Sequence, residues 1–321
     1  MPSLDLNSIL PKLRQTPIMI GTPAYGGLVS VPYHSTINEL VASCVQMGIP
    51  LRNCMIENES LITRARNNIA HMFLNATANI GGNEVPFEYL LFIDADIRCS
   101  TQDIFTLIYY AITENLPLVA GSYPKKAINW EMITEAVKAG VPPHELANYC
   151  DNAVMNLRPT ANGQHSIDLN RPVEVLDTGT GFMLIHRSVF DKIKAAHPEL
   201  AYTPDYNLRS VAFDAHTANG VWAYFDTGIV QDETAQNTGR KRYLSEDYMF
   251  CKHWRDLGGK IYILPWINLV HHGTFHYQGN LPATLQLRAK VQRDAATAQQ
   301  NVSFVAKPLT SPSVPMQPVK L

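Results

Sequence analysis

Residues 89–93 read Tyr-Leu-Leu-Phe-Ile, apolar at every position, and stop at Asp94-Ala95-Asp96. A run this short is a strand rather than a helix, and a strand with no polar face must be covered on both sides. It therefore belongs inside a layered α/β sheet, and the surrounding chain alternates accordingly. Residues 17–22 form another short apolar run, ended by Pro23 and Gly26-Gly27, and residues 51–56 and 118–121 read as further strands. Between them, Ile37, Leu40, Val41, Cys44 and Val45 recur at helical spacing and stop at Gly48-Ile49-Pro50. Ile62, Ala65, Ile69, Met72 and Phe73 mark a helix over 61–75. Ile104, Leu107, Ile108, Ala111 and Ile112 mark another, opened by Ser100 and Asp103 as an N-cap pair. This alternation predicts a Rossmann-like α/β fold, a mostly parallel central sheet with helices on both faces. Ligands in such sheets gather at the carboxyl ends of the strands, which directs attention to residues 22–25, 57–60 and 94–96.

The 321 residues carry 26 Lys and Arg against 28 Asp and Glu, a net charge of -2, so the basic surplus of a protein held on nucleic acid by phosphates is absent overall. Five cysteines, odd in number and widely spaced, argue for reduced thiols rather than a disulfide framework. With no apolar leader at residues 1–15 and no long apolar run, the expectation is a cytoplasmic protein that makes no membrane contact. The domain reading is an N-terminal extension over 1–16, one large domain over 17–280, a polar helix over 281–306 and a Pro-rich disordered tail over 307–321. Within the large domain the pattern loosens over about 123–170, which reads as an insertion. Order returns at 173–176 and 181–185, then in a helix over 244–257 and a strand over 260–264.

Three stretches can carry chemistry. Asp94 and Asp96, two residues apart beyond a buried strand, can meet a hard cation and bridge it to diphosphate oxygens, although acids also simply solvate strand ends. Far downstream, the imidazole of His271 or His272 can complete a manganese(II) site made otherwise of oxygen. In Ser245-Glu246-Asp247, Ser245 is a helix N-cap and the acids of the first turn complement the helix dipole. Read functionally, Glu246 and Asp247 are the catalytic pair, with Asp247 the general base toward an acceptor hydroxyl.

In this order, the segments Gly21-Thr22-Pro23-Ala24-Tyr25, 57–67, 91–97, 177–187, 243–251 and 271–279 resemble small GT-A type glycosyltransferases, including those encoded by bacteriophages and other large DNA viruses. The resemblance spans roughly residues 17–280. It implies a GT-A fold and transfer of a sugar from a nucleotide-diphosphate donor, with a UDP-sugar favoured and manganese(II) preferred to magnesium. Thr22, Pro23, Ala24 and Tyr25 would hold base and ribose, Glu57 would touch the base, and Arg66 with Asn67 would face the nucleotide, Arg66 neutralising diphosphate charge. Asp96 would be the direct metal ligand, with Asp94 and Ala95 nearer the ribose or a bound water, and His271 would complete the metal set. Gly179, Thr180 and Gly181 would lie under the donor sugar, the glycines letting backbone approach it. Asp247 resembles the base of inverting members.

The acceptor stays open between a hydroxymethylated pyrimidine in viral DNA, a protein and a glycan. Lys125-Lys126 and Arg240-Lys241-Arg242 are basic clusters that either touch phosphates or are solvated surface. Trp130, His144, Tyr149 and His165 either shape an acceptor site or pack at the surface. Two other classes compete: a phosphoryl-transfer hydrolase using the first Asp as nucleophile, and a nucleotide-sugar-binding module without turnover.

Overall fold

The computed structural model describes residues 4–150, 153–158, 168–204, 220–232 and 239–275, with Pro282, Leu285, Gln286 and Lys290. The chain divides into two units, Met1–Gly273 and Thr274–Leu321. The first carries α1 (Leu6–Leu13), β1 (Ile18–Ala24), α2 (Val31–Met47), β2 (Leu51–Glu57), α3 (Ile62–Asn75), β3 (Thr77–Ile80), β4 (Asn83–Pro86), β5 (Tyr89–Ile93), β6 (Ile97–Arg98), α4 (Thr101–Thr113) and β7 (Leu118–Ala120). It continues through α5 (Trp130–Lys138), β8 (Met155–Leu157), β9 (Val173–Thr178), β10 (Phe182–His186), α6 (Arg187–Ala196), β11 (Ala201–Tyr202), β12 (Val221–Trp222), β13 (Gly228–Gln231), β14 (Lys241–Leu244), α7 (Glu246–Asp256), β15 (Ile261–Ile263) and β16 (Val270–His271). In the second unit Pro282, Leu285, Gln286 and Lys290 are helical; the rest of the expected 281–306 helix, and the whole of 307–321, lie outside the described residues.

Eight strands form one sheet in the order β2-β1-β5-β10-β7-β15-β9-β8, in which β10 and β9 run against the other six. The sheet is mixed α/β and mostly parallel, as the alternation predicts. Its side chains divide by the strand period of two. Ile18, Ile20, Tyr89, Leu91, Ile93, Phe182 and Leu184 face one cluster, which α1, α2 and α4 cover with residues such as Leu13, Leu40 and Leu107. Met19, Leu90, Phe92, Met183 and Ile185 face the other, covered by Ile69, Phe190 and Phe250 of α3, α6 and α7. Both faces of β5 are thus buried, which is why it has no polar position.

Local sequence sets the helix ends. Ser100 and Asp103 form a complete capping box at α4, and α2 stops at Gly48, whose φ of 71 suits the left-handed cap. The segment read as an extension carries α1, and Ile9 and Leu13 pack into the first cluster. The segment read as an insertion supplies β8 to the edge of the main sheet. Its half-buried Met-Asn-Leu lacks the apolar run that marks an interior strand. No helix among the described residues is long and apolar enough to cross a membrane, and all five cysteines are free.

Candidate active site

The loops after β1, β5 and β7, and the turn before the reversed β10, all reach the carboxyl edge of the sheet. Asp94 N–H donates to Gly181 O at 3.0 Å, Gly121 N–H to Phe182 O at 3.1 Å, and Ser30 N–H to Ala95 O at 2.8 Å. They border a cleft of about 530 Å³, within the size range of small-ligand sites. Pro23, Tyr25, Leu28, Val29 and Ser30 form one wall, with Ile62; Asp94, Ala95 and Asp96 lie along it, with Lys126 and His271 beside them. Tyr25 is 74% exposed.

Asp96 and His271 are brought together by a minimal antiparallel ribbon. β6, directly after the acid pair, pairs with β16 so that Ile97 faces His271, and His272 N–H donates to Asp96 O at 2.8 Å. Nε2 of His271 then stands 3.4 Å from Asp96 Oδ1, while Nδ1 lies 2.9 Å from Pro124 O. Since a carbonyl only accepts, Nδ1 carries a proton; a proton on Nε2 is donated to Asp96 Oδ1, and without it that nitrogen offers a lone pair to an ion beside the carboxylate. A hydrogen bond from one ring nitrogen to a carbonyl is the usual support of a metal-binding imidazole. The oxygen and nitrogen pair fits a divalent cation. Among the described residues no cluster of three Asp, Glu, His or Cys side chains completes a cation site, so its other positions would fall to ligand oxygens and water. Burial pushes the Asp96 carboxyl up, but hydrogen bonds from His271 and Lys126 outweigh it and hold its pKa down to about 2.

Asp94 does not join that pair. Both of its oxygens take Nη2 of Arg66, at 3.0 and 3.2 Å, and Nε of Arg66 reaches Glu246 Oε1 at 3.4 Å. Three candidate site residues thus have partners within the chain. Asp94, expected near the metal and ribose, lines the cleft as the partner of a guanidinium. Arg66, expected to face the diphosphate, is 3% exposed and holds two carboxylates, because burial demands a counter-charge for it. Glu246, expected as one of the catalytic pair, accepts from Arg66. Nη1 of Arg66 is buried with no hydrogen-bond partner among the described residues.

Asp247 stands beside this network in the first turn of α7. Ser245 occupies the N-cap position, but its hydroxyl bonds the Asp247 carboxylate instead of a backbone N–H, and the same carboxylate oxygen accepts from Tyr248 N at 2.8 Å. Burial and, next, the charge of Glu246 push the Asp247 pKa up, against the Ser245 hydrogen bond and the charge of Arg66.

Other expected donor contacts are occupied by the fold itself. Thr22 is fully buried, its hydroxyl bonded to Tyr33 Oη at 2.6 Å and Ile93 O at 2.9 Å. The Asn67 amide donates to Phe225 O at 3.1 Å and accepts from Phe225 N at 2.8 Å. Gly179, Thr180 and Gly181 are buried. A Cβ on Gly179 would lie 2.1 Å from Tyr123 Oη, and one on Gly181 2.7 Å from Tyr123 Cζ. Close approach is indeed why these are glycines, but the group that approaches is Tyr123, whose Oη accepts from Gly181 N at 3.1 Å. Ala24 is buried at the end of β1, while Glu57 is exposed opposite it on β2 and outside the cleft lining.

Sequence reasoning missed Tyr123 and the site role of Lys126, whose ammonium pairs with Asp96 Oδ2. A basic doublet carries no local mark that separates a cleft lysine from a solvated one. Trp130 and His144 are exposed and Tyr149 is at the surface, none of them lining the cleft, and His165 lies outside the described residues.

No family model and no curated protein matches the chain. Among solved structures, A197 from STIV matches 83% of this chain and 98% of its own, at 13% identity and a TM-score of 0.39. GalNAc-T7 with UDP, GalNAc and Mn2+ matches 83% of this chain and 46% of its own, at 11% identity and a TM-score of 0.38, so the chain spans about half the length of that protein. Both likenesses are slight, and the site rests on its own geometry.

Proposed function

We propose that the chain is a GT-A type glycosyltransferase that moves a sugar from a nucleoside-diphosphate donor, a uridine diphosphate sugar first among them, to an acceptor hydroxyl. The observation that carries this reading is the Asp96 carboxylate facing Nε2 of His271 at 3.4 Å in a nucleotide-sized cleft. These two side chains would hold a divalent cation, manganese(II) in preference to magnesium, because an imidazole nitrogen suits the less hard ion. Bound there, such an ion offsets the charge of a diphosphate leaving group.

The remaining roles belong to the chain's own side chains. Pro23, Leu28 and the exposed ring of Tyr25 offer an apolar wall on which a base can stack. Arg66 keeps Asp94 and Glu246 in place, and Asp247 receives the proton of the acceptor hydroxyl as the new glycosidic bond forms and the sugar–phosphate bond breaks. Its raised proton affinity suits that task. A single displacement of this kind inverts the anomeric carbon.

A thermal-shift screen of nucleotide sugars with manganese(II) tests the reading, since a donor that binds the folded state raises its stability. One nucleotide should stand out. Asp96→Ala should abolish both that shift and metal-dependent donor turnover, and a variant retaining both would overturn the proposal. Binding without any turnover in the wild type would make the chain a binding module instead. Transfer of labelled sugar to hydroxymethylated DNA, protein or glycan then separates the acceptor classes.

A further inference from the structure

Lys126 is placed with more care than a surface lysine needs. Residues 123–126 lie along residues 271–273: the Tyr123 ring meets the His271 ring edge-on with centroids 5.5 Å apart, Pro124 O takes His271 Nδ1, and the stem of Lys126 runs over Gly273. A Cβ on Gly273 would stand 3.0 Å from Lys126 Cδ and 3.4 Å from Cγ, so the missing side chain makes the path for the stem. The head ends at Oδ2 of Asp96, whose other oxygen faces His271. It remains 46% exposed on the cleft lining, with Asp96 37% exposed.

We propose that Lys126 is an exchangeable counter-ion: it neutralises Asp96 while no divalent cation is bound, and turns to the diphosphate of the donor once a cation takes Asp96. The inference rests on the glycosyltransferase reading of the same cleft. Its physical basis is charge balance. An ionised Asp96 on a partly exposed cleft wall takes a positive partner, and in the free protein Lys126 supplies it. A cation entering between Asp96 and His271 makes that partner redundant and repels it. A nucleoside diphosphate entering with the cation provides the nearest new anion, within the swing of a flexible four-carbon stem fixed at its base. Cation and diphosphate therefore assist each other's binding, and the coupling is reciprocal.

Lys126→Met keeps the stem over Gly273 and removes the charge, and its thermal midpoint should stay within about a few degrees of the wild type, the scale of one partly exposed ion pair. Manganese(II) alone, titrated by electron paramagnetic resonance, should bind Lys126→Met roughly two- to fivefold more tightly, the scale of losing one partly exposed ion pair. Uridine diphosphate with saturating manganese(II) should bind it more weakly by a similar factor. In chelator, Asp96→Asn frees Lys126 and should bind uridine diphosphate more tightly than the wild type, a gain that Asp96→Asn with Lys126→Met should lose. Manganese(II) that binds through Asp96 but no more tightly in Lys126→Met overturns the exchange. So does an Asp96→Asn gain that survives removal of Lys126. Manganese(II) bound equally by wild type and Asp96→Asn removes the cation site itself, and the proposal falls with it.

Discussion

Asp247 joins two properties that pull against each other. Its carboxylate is held by Ser245 and Tyr248 N–H, yet burial and the adjacent Glu246 raise its proton affinity. A base must be ionised to act, so transfer should fall as pH drops through this raised pKa. Glu246→Gln removes the second cause of the shift, and the acid limb of kcat/KM should move to lower pH; an unmoved limb would assign it to another group. Asp247→Asn should leave nucleotide affinity intact and slow transfer by about a hundredfold or more, and unchanged transfer would remove Asp247 as the base. The same substitution bears on stability. A folded-state pKa above the unfolded value means stabilisation that is complete when Asp247 is protonated and is lost as pH rises through the folded value. Asparagine stays neutral throughout, so Asp247→Asn should melt higher than the wild type at neutral pH, with the difference shrinking in acid.

At the scale of elements, the site depends on what each strand delivers at its end. β5 delivers the acid pair because both its faces are buried, so the first charged residues after it fall where the strand stops. α4 follows β6 at once, and its capping box anchors the far end of the loop that holds Asp96. Ser100→Ala should cost about 1 kcal/mol, read from the denaturant midpoint, and should also weaken manganese(II) binding if the cap helps fix that loop. α7 delivers Asp247, and the buried Asp177–Arg255 pair at 3.2 Å ties this helix to β9. Burial pushes Asp177 up in spite of Arg255. Arg255→Met should therefore destabilise by about 3–5 kcal/mol, the cost of an unpaired buried charge, and adding Asp177→Asn should recover most of it.

Across the whole molecule, distant stretches are joined by a few polar links through an otherwise apolar interior. Asn67 in α3 clamps both backbone groups of Phe225, whose ring stacks on Phe250 of α7 at 4.4 Å between centroids. The clamp thereby connects the early helix carrying Arg66 to the late helix carrying Glu246 and Asp247. Asn67→Ala should cost about 1–3 kcal/mol for each of the two orphaned groups, measured by chemical denaturation. It should also lower transfer by misplacing Asp247, with manganese(II) affinity kept. Equal loss of both would show that the two halves of the site are not separately held.

The positions of β1, β2, β5, β7 and α2 to α4 were legible in the sequence, because apolar spacing records which face of an element is covered and Ser100, Asp103 and Gly48 mark ends through purely local chemistry. The mostly parallel sheet, and the edge where Asp94 and Asp96 lie, follow from that order alone. The partner of each polar side chain was not legible. Asp94 and Asp96 are chemically alike in the chain, yet tertiary structure gives one to Arg66 and the other to His271 and Lys126. Asn67 and the glycines around Thr180 went to Phe225 and Tyr123 for the same reason. Burial periodicity is written in neighbouring residues, whereas the choice among buried counter-charges is settled only when remote segments meet and each desolvated group takes the partner within its reach.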